Sequence, residues 1–199
     1  MIAPTLDEIR EAADRLRDIV VRSPLVPLHS HEAAPDLLLK LETLQCVNSF
    51  KIRGVFHAVS KMSDARRRAG ISTVSAGNTA QALAWAGRYF GVPARSVMPD
   101  TAPTSKVDAV RAYGATPVLV PMDEVFRFMR EHLWDHEPYA FVHPWTDRDV
   151  MIGHATMALE ILEDCPDLES IFVPVGGGGL IGGVATAMKL LKPAARVIA

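Results

Sequence analysis

Apolar residues recur every three to four positions in the first part of the chain, which is the spacing of one face of a helix. Thr5 and Glu8 stand three residues apart at the front of this pattern and predict a capping box. Ser23-Pro24 are predicted to end the helix. The predicted buried face consists of Ile9, Ala12, Ala13, Leu16, Ile19 and Val20.

Short β-rich runs then alternate with helical patterns along the rest of the chain. This alternation predicts an α/β fold with a mostly parallel sheet, because parallel neighbouring strands need crossover connections. Gly91 and Gly114 are predicted to end two of the helices. The predicted strands are 37–41, 73–75, 96–98, 116–120, 140–142, 171–175 and the beginning of one at 194–199; the predicted helices are 50–62, 79–90, 105–113, one ending near 129, 149–162 and one beginning near 180.

Composition and charge narrow the class of protein. The 199 residues are 49% hydrophobic and 22% charged, as in ordinary soluble domains, and the net charge of −2 favours neither nucleic acid nor an anionic membrane as a partner. No apolar run is long enough to span a membrane, and no signal-peptide pattern stands at the N-terminus. Cys46 and Cys165 form no C-x-x-C pair, and both are predicted to be packed thiols in a reducing compartment. We therefore expect a cytoplasmic protein.

Four consecutive glycines, Gly176 to Gly179, follow an apolar run and precede a helical pattern. Without a Cβ, their backbone N–H groups can turn around an anion at the positive end of the helix, which favours a phosphate site. A plain tight turn is the alternative, although it needs only one or two glycines. Gly177, Gly179 and Gly182 also satisfy G-x-G-x-x-G, so a nucleotide-binding domain stays open as a second alternative.

Two further segments carry candidate chemistry. Lys51 follows a polar stretch and is bracketed by apolar residues, so burial is expected to lower its pKa and favour the neutral amine that Schiff-base chemistry needs. A surface lysine on a polar helix face is the alternative. Ser75-Ala76-Gly77-Asn78 precedes a helix whose first N–H groups could hold a carboxylate; the alternative is an ordinary helix cap.

Together these segments resemble a known family. Residues 49–54 (Ser-Phe-Lys-Ile-Arg-Gly), residues 75–78 and the glycines with Leu180 resemble, in order and spacing, the fold type II pyridoxal-phosphate enzymes of the threonine/serine dehydratase and serine racemase group. The resemblance implies an α/β fold of two domains with parallel-rich sheets flanked by helices. It places a large cofactor-binding domain in residues 1–69 and 148–199, incomplete at its C-terminal end, and a small substrate-closing domain in residues 70–147.

The resemblance also implies an activity and a set of roles. Lys51 would hold pyridoxal 5'-phosphate as a Schiff base and take the Cα proton of the substrate. The implied reaction is α,β-elimination of L-threonine, L-serine or a related 3-hydroxy amino acid to a 2-oxo acid and ammonia, by a homo-oligomer and with no metal site in these residues. The implied cofactor-binding residues are Phe50, Lys51, Asn78, Gly176, Gly177, Gly178, Gly179 and Leu180, and the substrate-binding residues are Ser75, Ala76, Gly77, Asn78, Thr79 and His154.

The sequence departs from the pattern of this group at several positions. Ala76 stands where the racemases carry a serine that acts as an acid, which disfavours racemisation. Thr79 stands where a histidine is common, and the usual Gly-Gln-Gly-Thr is Gly-His-Ala-Thr at 153–156, which leaves His154 either a site residue or a structural histidine. The chain also ends where a fuller cofactor domain would continue. We therefore expect a fragment, and an inactive fragment that binds the cofactor stays an alternative.

Overall fold

The computed structural model describes residues 2–28 and 37–199, and its architecture is mixed α/β, as predicted. Its central sheet has four parallel strands in the order β5-β4-β3-β6. A second parallel pair joins β7 to β8, and an antiparallel pair joins β1 to β2. The strands are β1 Leu25–Pro27, β2 Leu38–Lys40, β3 Ile71–Val74, β4 Ala94–Pro99, β5 Thr116–Val120, β6 Ala140–Phe141, β7 Ser170–Phe172 and β8 Arg196–Ile198.

Helices cover these sheets and supply most of the buried apolar surface. One cluster lies among α2, α4 and the central sheet, a second among α1, α7 and α8, and a third beneath α6. Helix α7 packs against both α2 and α8, so it lies between the two elements that carry the candidate site. The helices are α1 Leu6–Leu16, α2 Lys51–Lys61, α3 Asp64–Arg68, α4 Asn78–Phe90, α5 Thr104–Ala112, α6 Met122–Arg130, α7 Arg148–Asp164 and α8 Gly179–Leu191.

The structure confirms the helix ends that Thr5, Glu8, Gly91 and Gly114 predict. The Thr5 hydroxyl accepts a hydrogen bond from the Glu8 amide, and the Glu8 carboxylate accepts one from the Thr5 amide, which completes the capping box of α1. Gly91 ends α4 in the left-handed conformation, with φ of 64°. Gly114, with φ of 90°, directly follows the residue that caps α5.

Other predictions are wrong in their extent or kind. Helix α1 ends at Leu16 rather than before Ser23, and Ile19 and Val20 reach the core from a turn that folds back onto Leu16. The sequence patterns did not predict β1. Cys46 is exposed rather than packed, because it lies on the polar connection before α2.

Candidate active site

Lys51 is the first residue of α2, and its side chain is half-buried. Its Nζ atom donates a hydrogen bond to the carbonyl oxygen of Pro144, at 3.3 Å, and lies 5.1 Å from the centre of the Phe50 ring. Within residues 2–28 and 37–199, Lys51 forms no ion pair that would stabilise the charged form of its amine. Burial lowers the pKa of the Lys51 amino group, so a larger fraction is neutral and nucleophilic than in a lysine surrounded by water.

The carbonyl that accepts from Lys51 belongs to a tight turn at residues 143–146, which follows β6 and which we call the His143 turn. The Nδ1 atom of His143 accepts hydrogen bonds from the backbone N–H groups of Trp145, at 3.4 Å, and Thr146, at 3.2 Å. The indole of Trp145 packs on Gly177, and its backbone packs on Gly179. The His143 turn therefore contacts both Lys51 and the glycine loop, although these are more than a hundred residues apart.

The glycine loop lies between β7 and α8 and exposes the start of that helix. Gly178 is the N-cap residue, with φ of 89°, and no side chain in the described part of the chain caps the helix. The first amides of α8 are thus available to an anion. A Cβ at residue 177 would lie 2.5 Å from the Trp145 ring and one at residue 179 would lie 3.1 Å from the Trp145 backbone, whereas one at residue 176 would meet no described atom within 4 Å. Packing and backbone conformation therefore explain three of the glycines, but they do not explain Gly176.

The segment 75–78 lies at the same edge of the central sheet as the His143 turn. It follows β3, the turn follows β6, and these two strands are parallel neighbours, so their carboxyl ends meet. Thr73 links the two ends by donating its hydroxyl to the carbonyl of Val142, at 2.8 Å. The structure thus brings the predicted carboxylate site to the edge at which Lys51 is held.

The side chains of this segment differ in their hydrogen bonds and in their burial. The Ser75 hydroxyl accepts a hydrogen bond from the Gly77 amide, at 3.1 Å, which shapes the turn before α4. Asn78 begins α4 and is exposed, Thr79 is buried, and Ala76 is half-buried. No described side chain caps α4, so the first amides of this helix, like those of α8, are available to an anion.

His154 lies on α7 beneath Phe50 and has no exposed surface. The two rings meet edge to face, with 5.0 Å between their centres, and neither ring nitrogen has a hydrogen-bond partner among the described residues. Burial holds the pKa of His154 well below its usual value, and the charges of Lys51 and Arg53 act in the same direction. In this structure His154 packs beneath Phe50, and a role of His154 toward the substrate stays a prediction.

Close glycine contacts fix α7 between the helix that bears Lys51 and the helix of the glycine loop. A Cβ at Gly153 would lie 2.3 Å from the carbonyl oxygen of Arg53, and one at Gly54 would lie 2.5 Å from the ring of His154. On the other side, a Cβ at Gly183 would lie 2.3 Å from the carbonyl oxygen of Met151. These backbone contacts hold the starts of α2 and α8 in a fixed relationship.

The buried guanidinium of Arg53 anchors α2 from below and is a site feature that the sequence patterns did not predict. Two of its nitrogens donate to the two carboxylate oxygens of Glu42, each at 2.8 Å. Two donate to the carboxylate of Glu160, at 2.6 and 2.9 Å, and Lys40 pairs with Glu160 at 2.6 Å. Its only sequence signal is a charged residue in an otherwise apolar run, and its partners lie far away along the chain.

Two other kinds of feature are missing from the described residues. No helix there is long and apolar enough to cross a membrane. The described part of the chain also holds no group of three or more His, Cys, Asp or Glu side chains placed to bind a metal ion.

Comparison with known proteins identifies relatives over nearly the whole chain. A family model described as "Pyridoxal-phosphate dependent enzyme" matches residues 16–199. An L-threonine ammonia-lyase of Thermotoga maritima is 41% identical over 198 residues, which are 98% of this chain and 49% of that protein. A catabolic L-threonine dehydratase of Staphylococcus aureus is 38% identical over 98% of this chain and 57% of that protein. The chain thus spans about half the length of the curated relatives it matches.

Solved structures give the same picture. Maize serine racemase superposes with a TM-score of 0.91 at 35% identity, covering 98% of this chain and 60% of that chain. The processed form of threonine deaminase isoform 2 from Solanum lycopersicum superposes with a TM-score of 0.86 at 34% identity, covering 98% of this chain and 56% of that chain.

Proposed function

We propose a dehydratase function from one premise, which is that this chain belongs to the family of pyridoxal-phosphate-dependent enzymes. The protein would convert L-threonine, L-serine or a related 3-hydroxy amino acid to a 2-oxo acid and ammonia. The observation that carries the proposal is the contact of both Lys51 and the glycine loop with the His143 turn. The names of the threonine ammonia-lyase and threonine dehydratase relatives support this substrate class.

The residues present fit the cofactor at both of its ends. Lys51 offers a half-buried amine with a lowered pKa for the aldehyde. Gly176 to Gly179 and the uncapped start of α8 offer backbone N–H groups for the phosphate. Phe50, next to Lys51, offers a ring face for packing, and Asn78 offers an exposed amide for the ring hydroxyl.

When bound, pyridoxal phosphate withdraws electrons from the Cα atom of an attached amino acid and so acidifies the Cα–H bond. Lys51 is the base that would take this proton, since burial lowers the pKa of its amine and so increases the neutral fraction that can accept one. Pro144 orients the free amine, because its carbonyl oxygen accepts one of the amine's N–H groups.

The substrate carboxylate would bind at the start of α4. The amides of the first turn have no side-chain cap among the described residues, and the helix dipole favours an anion there. The Ser75 hydroxyl shapes this turn by accepting from the Gly77 amide, and it keeps its own proton for a substrate oxygen. Because Ala76 has no acidic proton, we place racemisation below elimination, although a serine racemase is among the similar structures.

Three further properties of the protein are part of the proposal. We propose a large domain of residues 1–69 and 148–199 and a small domain of residues 70–147, which contains the whole of the central sheet. We propose a homo-oligomer because of the family resemblance. We propose a cytoplasmic location because the chain has two cysteines that form no C-x-x-C pair. The second candidate function is a fragment that binds the cofactor without turnover, favoured by the coverage of only about half of the relatives' length.

The test combines cofactor binding with product formation. The chain is incubated with pyridoxal phosphate, its absorption spectrum is recorded, and 2-oxo acid release is measured separately with L-threonine and L-serine. We expect a protein-bound cofactor band and release of 2-oxo acid. A band without release would contradict dehydratase activity of this chain and favour the binding fragment, whereas tight NAD binding without any band would contradict the proposal and favour the nucleotide-binding alternative.

A further inference from the structure

We propose that His143 is a positioning residue for Lys51, and that it acts through the turn whose backbone its Nδ1 atom holds. The proposal rests on the proposed function for the role of Lys51, but the contacts that carry it belong to this chain alone. Nothing in the sequence patterns or in the roles implied by the resemblance singles out His143.

The first step of the argument is the hydrogen bonding inside the turn. A single atom, Nδ1 of His143, accepts from the amides of both Trp145 and Thr146. Both bonds close the chain back on residue 143 within three residues. The Pro144 carbonyl belongs to the same planar peptide group as the Trp145 amide, so the bond from that amide to His143 sets the orientation of the carbonyl.

The second step is that this carbonyl contacts Lys51 and that the next residue, Trp145, contacts the glycine loop. The Pro144 carbonyl accepts from Lys51 Nζ, and the Trp145 indole lies on Gly177. A movement of the turn would thus change the amine and the glycine loop together. One histidine controls the relationship between the two ends of the cofactor site.

The third step is that the His143 ring is itself fixed by its surroundings. Its edge or face meets Trp134, Phe141 and Trp145, with ring centres 5.9, 6.0 and 5.0 Å away. These contacts hold the imidazole plane, so Nδ1 is directed at the two amides. The ring also borders a cavity of about 280 Å³ and is half-buried.

The acceptor role requires an unprotonated Nδ1 atom, so the neutral tautomer carries its proton on Nε2. Burial lowers the pKa of His143, and the nearby His132 acts in the same direction. The charged groups that share the cavity are Arg66 of α3, Asp135 of the turn after α6, and Asp147, the cap of α7. The neutral form therefore holds the turn at neutral pH, and protonation in acid would release both amides.

Two substitutions test separately the hydrogen-bond acceptor and the aromatic ring of His143. His143→Asn keeps a side-chain acceptor near the position of Nδ1 and cannot titrate, whereas His143→Phe keeps an aromatic ring and has no acceptor. His136→Asn, at an exposed histidine of a nearby turn, is the matched control. Urea unfolding of all three variants reports whether the fold is preserved.

The first measurement needs no cofactor. Hydrogen exchange is followed at residues 145 and 146, and the rate of reductive methylation with formaldehyde is followed at Lys51 and, as an internal reference, at Lys61. In His143→Phe we expect exchange at each of the two amides to rise about fivefold, because each loses one hydrogen bond worth about 1 kcal/mol and about 1.4 kcal/mol corresponds to tenfold. We also expect the methylation rate of Lys51 to change relative to that of Lys61. His143→Asn and His136→Asn should behave like the unsubstituted chain.

The second measurement is the affinity for pyridoxal phosphate between pH 5 and pH 8. We expect His143→Phe to bind about tenfold more weakly at pH 7.5, and His143→Asn to bind normally there and to lose less affinity in acid than the unsubstituted chain. Unchanged exchange and methylation in His143→Phe, or equal defects in His143→Asn and His143→Phe, would overturn the positioning role. If the unsubstituted chain binds no cofactor but the exchange and methylation changes appear, the proposed function fails and the positioning role stands.

Discussion

The indole of Trp145 lies against Gly177 so closely that a Cβ on residue 177 would come within 2.5 Å of the indole Cγ atom. No such contact exists at Gly176, where a Cβ would meet no described atom within 4 Å. The two adjacent glycines thus lack a side chain for different reasons. One accommodates a side chain of the protein, and the other faces the space in which we propose the phosphate.

Gly177→Ala is expected to displace Trp145 and destabilise the protein. Overpacking of this kind typically costs about 1 to 3 kcal/mol. Urea unfolding followed by tryptophan fluorescence measures the loss. An unchanged free energy of unfolding, with unchanged emission of the folded state, would show that the indole does not occupy this position.

Gly176→Ala is the matched variant and is expected to behave in the opposite way. The free energy of unfolding should change by less than about 1 kcal/mol, because the added methyl group meets nothing and the residue has no positive φ. Binding of pyridoxal phosphate should weaken, since the methyl group enters the proposed phosphate site. Binding as tight as that of the unsubstituted chain would contradict the assignment of Gly176 to the phosphate.

Arg53→Met is expected to destabilise the fold strongly. The substitution removes the guanidinium and leaves the carboxylates of Glu42 and Glu160 in the interior without their main partner. Breaking a buried pair in this way costs about 3 to 5 kcal/mol. Arg111→Ala, which breaks the exposed pair with Asp108, is the control and should cost less than about 1 kcal/mol. Equal losses in the two variants, measured by urea unfolding, would contradict the anchoring role.

His57 is expected to make the protein less stable in acid. It is 1% exposed, neither ring nitrogen has a partner among the described residues, and burial lowers its pKa to about 4. The unfolded chain takes up a proton near pH 6.5 while the folded chain does not. The contribution of His57 to stability is therefore fully present above pH 6.5 and is lost as pH falls toward 4, by up to about 3 kcal/mol.

His57→Leu tests this dependence by removing the titrating group. Free energies of unfolding are compared between pH 7 and pH 4.5 in both proteins. The variant should lose less stability over this interval than the unsubstituted chain, and an identical loss would show that His57 is not the source. His136→Leu, at an exposed histidine, is the control and should lose as much stability over this interval as the unsubstituted chain.

The sequence predicts those parts of the fold that local chemistry determines. The capping box of Thr5 and Glu8 and the left-handed Gly91 are decided by neighbouring residues, so their patterns can be read directly. The end of α1 could not be read this way. Ile19 and Val20 continue the apolar period because the core needs them, although the backbone there is a turn. The apolar pattern indicates which residues are buried, but it does not distinguish a helical backbone from a turn.

The same distinction applies to the candidate site. Lys51 and the glycine loop belong to short, characteristic segments, and the resemblance assigns them roles without any tertiary information. His143 and Arg53 depend on contacts across the fold: one lies on a turn that the sheet carries to Lys51, and the other has partners at residues 42 and 160. The motif around His154 left it either a site residue or a structural histidine, and only its position on α7 shows that it is buried beneath Phe50.

The position of the cofactor on the chain tests the central claim most directly. The protein is incubated with pyridoxal phosphate, reduced with borohydride and digested, and the labelled peptide is identified by mass spectrometry. We predict a single labelled position at Lys51, with no label in Lys51→Ala. Label should be normal in Lys61→Ala, since Lys61 lies at the other end of α2 and pairs with Asp149 of α7. A label on another lysine, or an undiminished label in Lys51→Ala, would contradict the assignment of Lys51 as the residue that holds the cofactor.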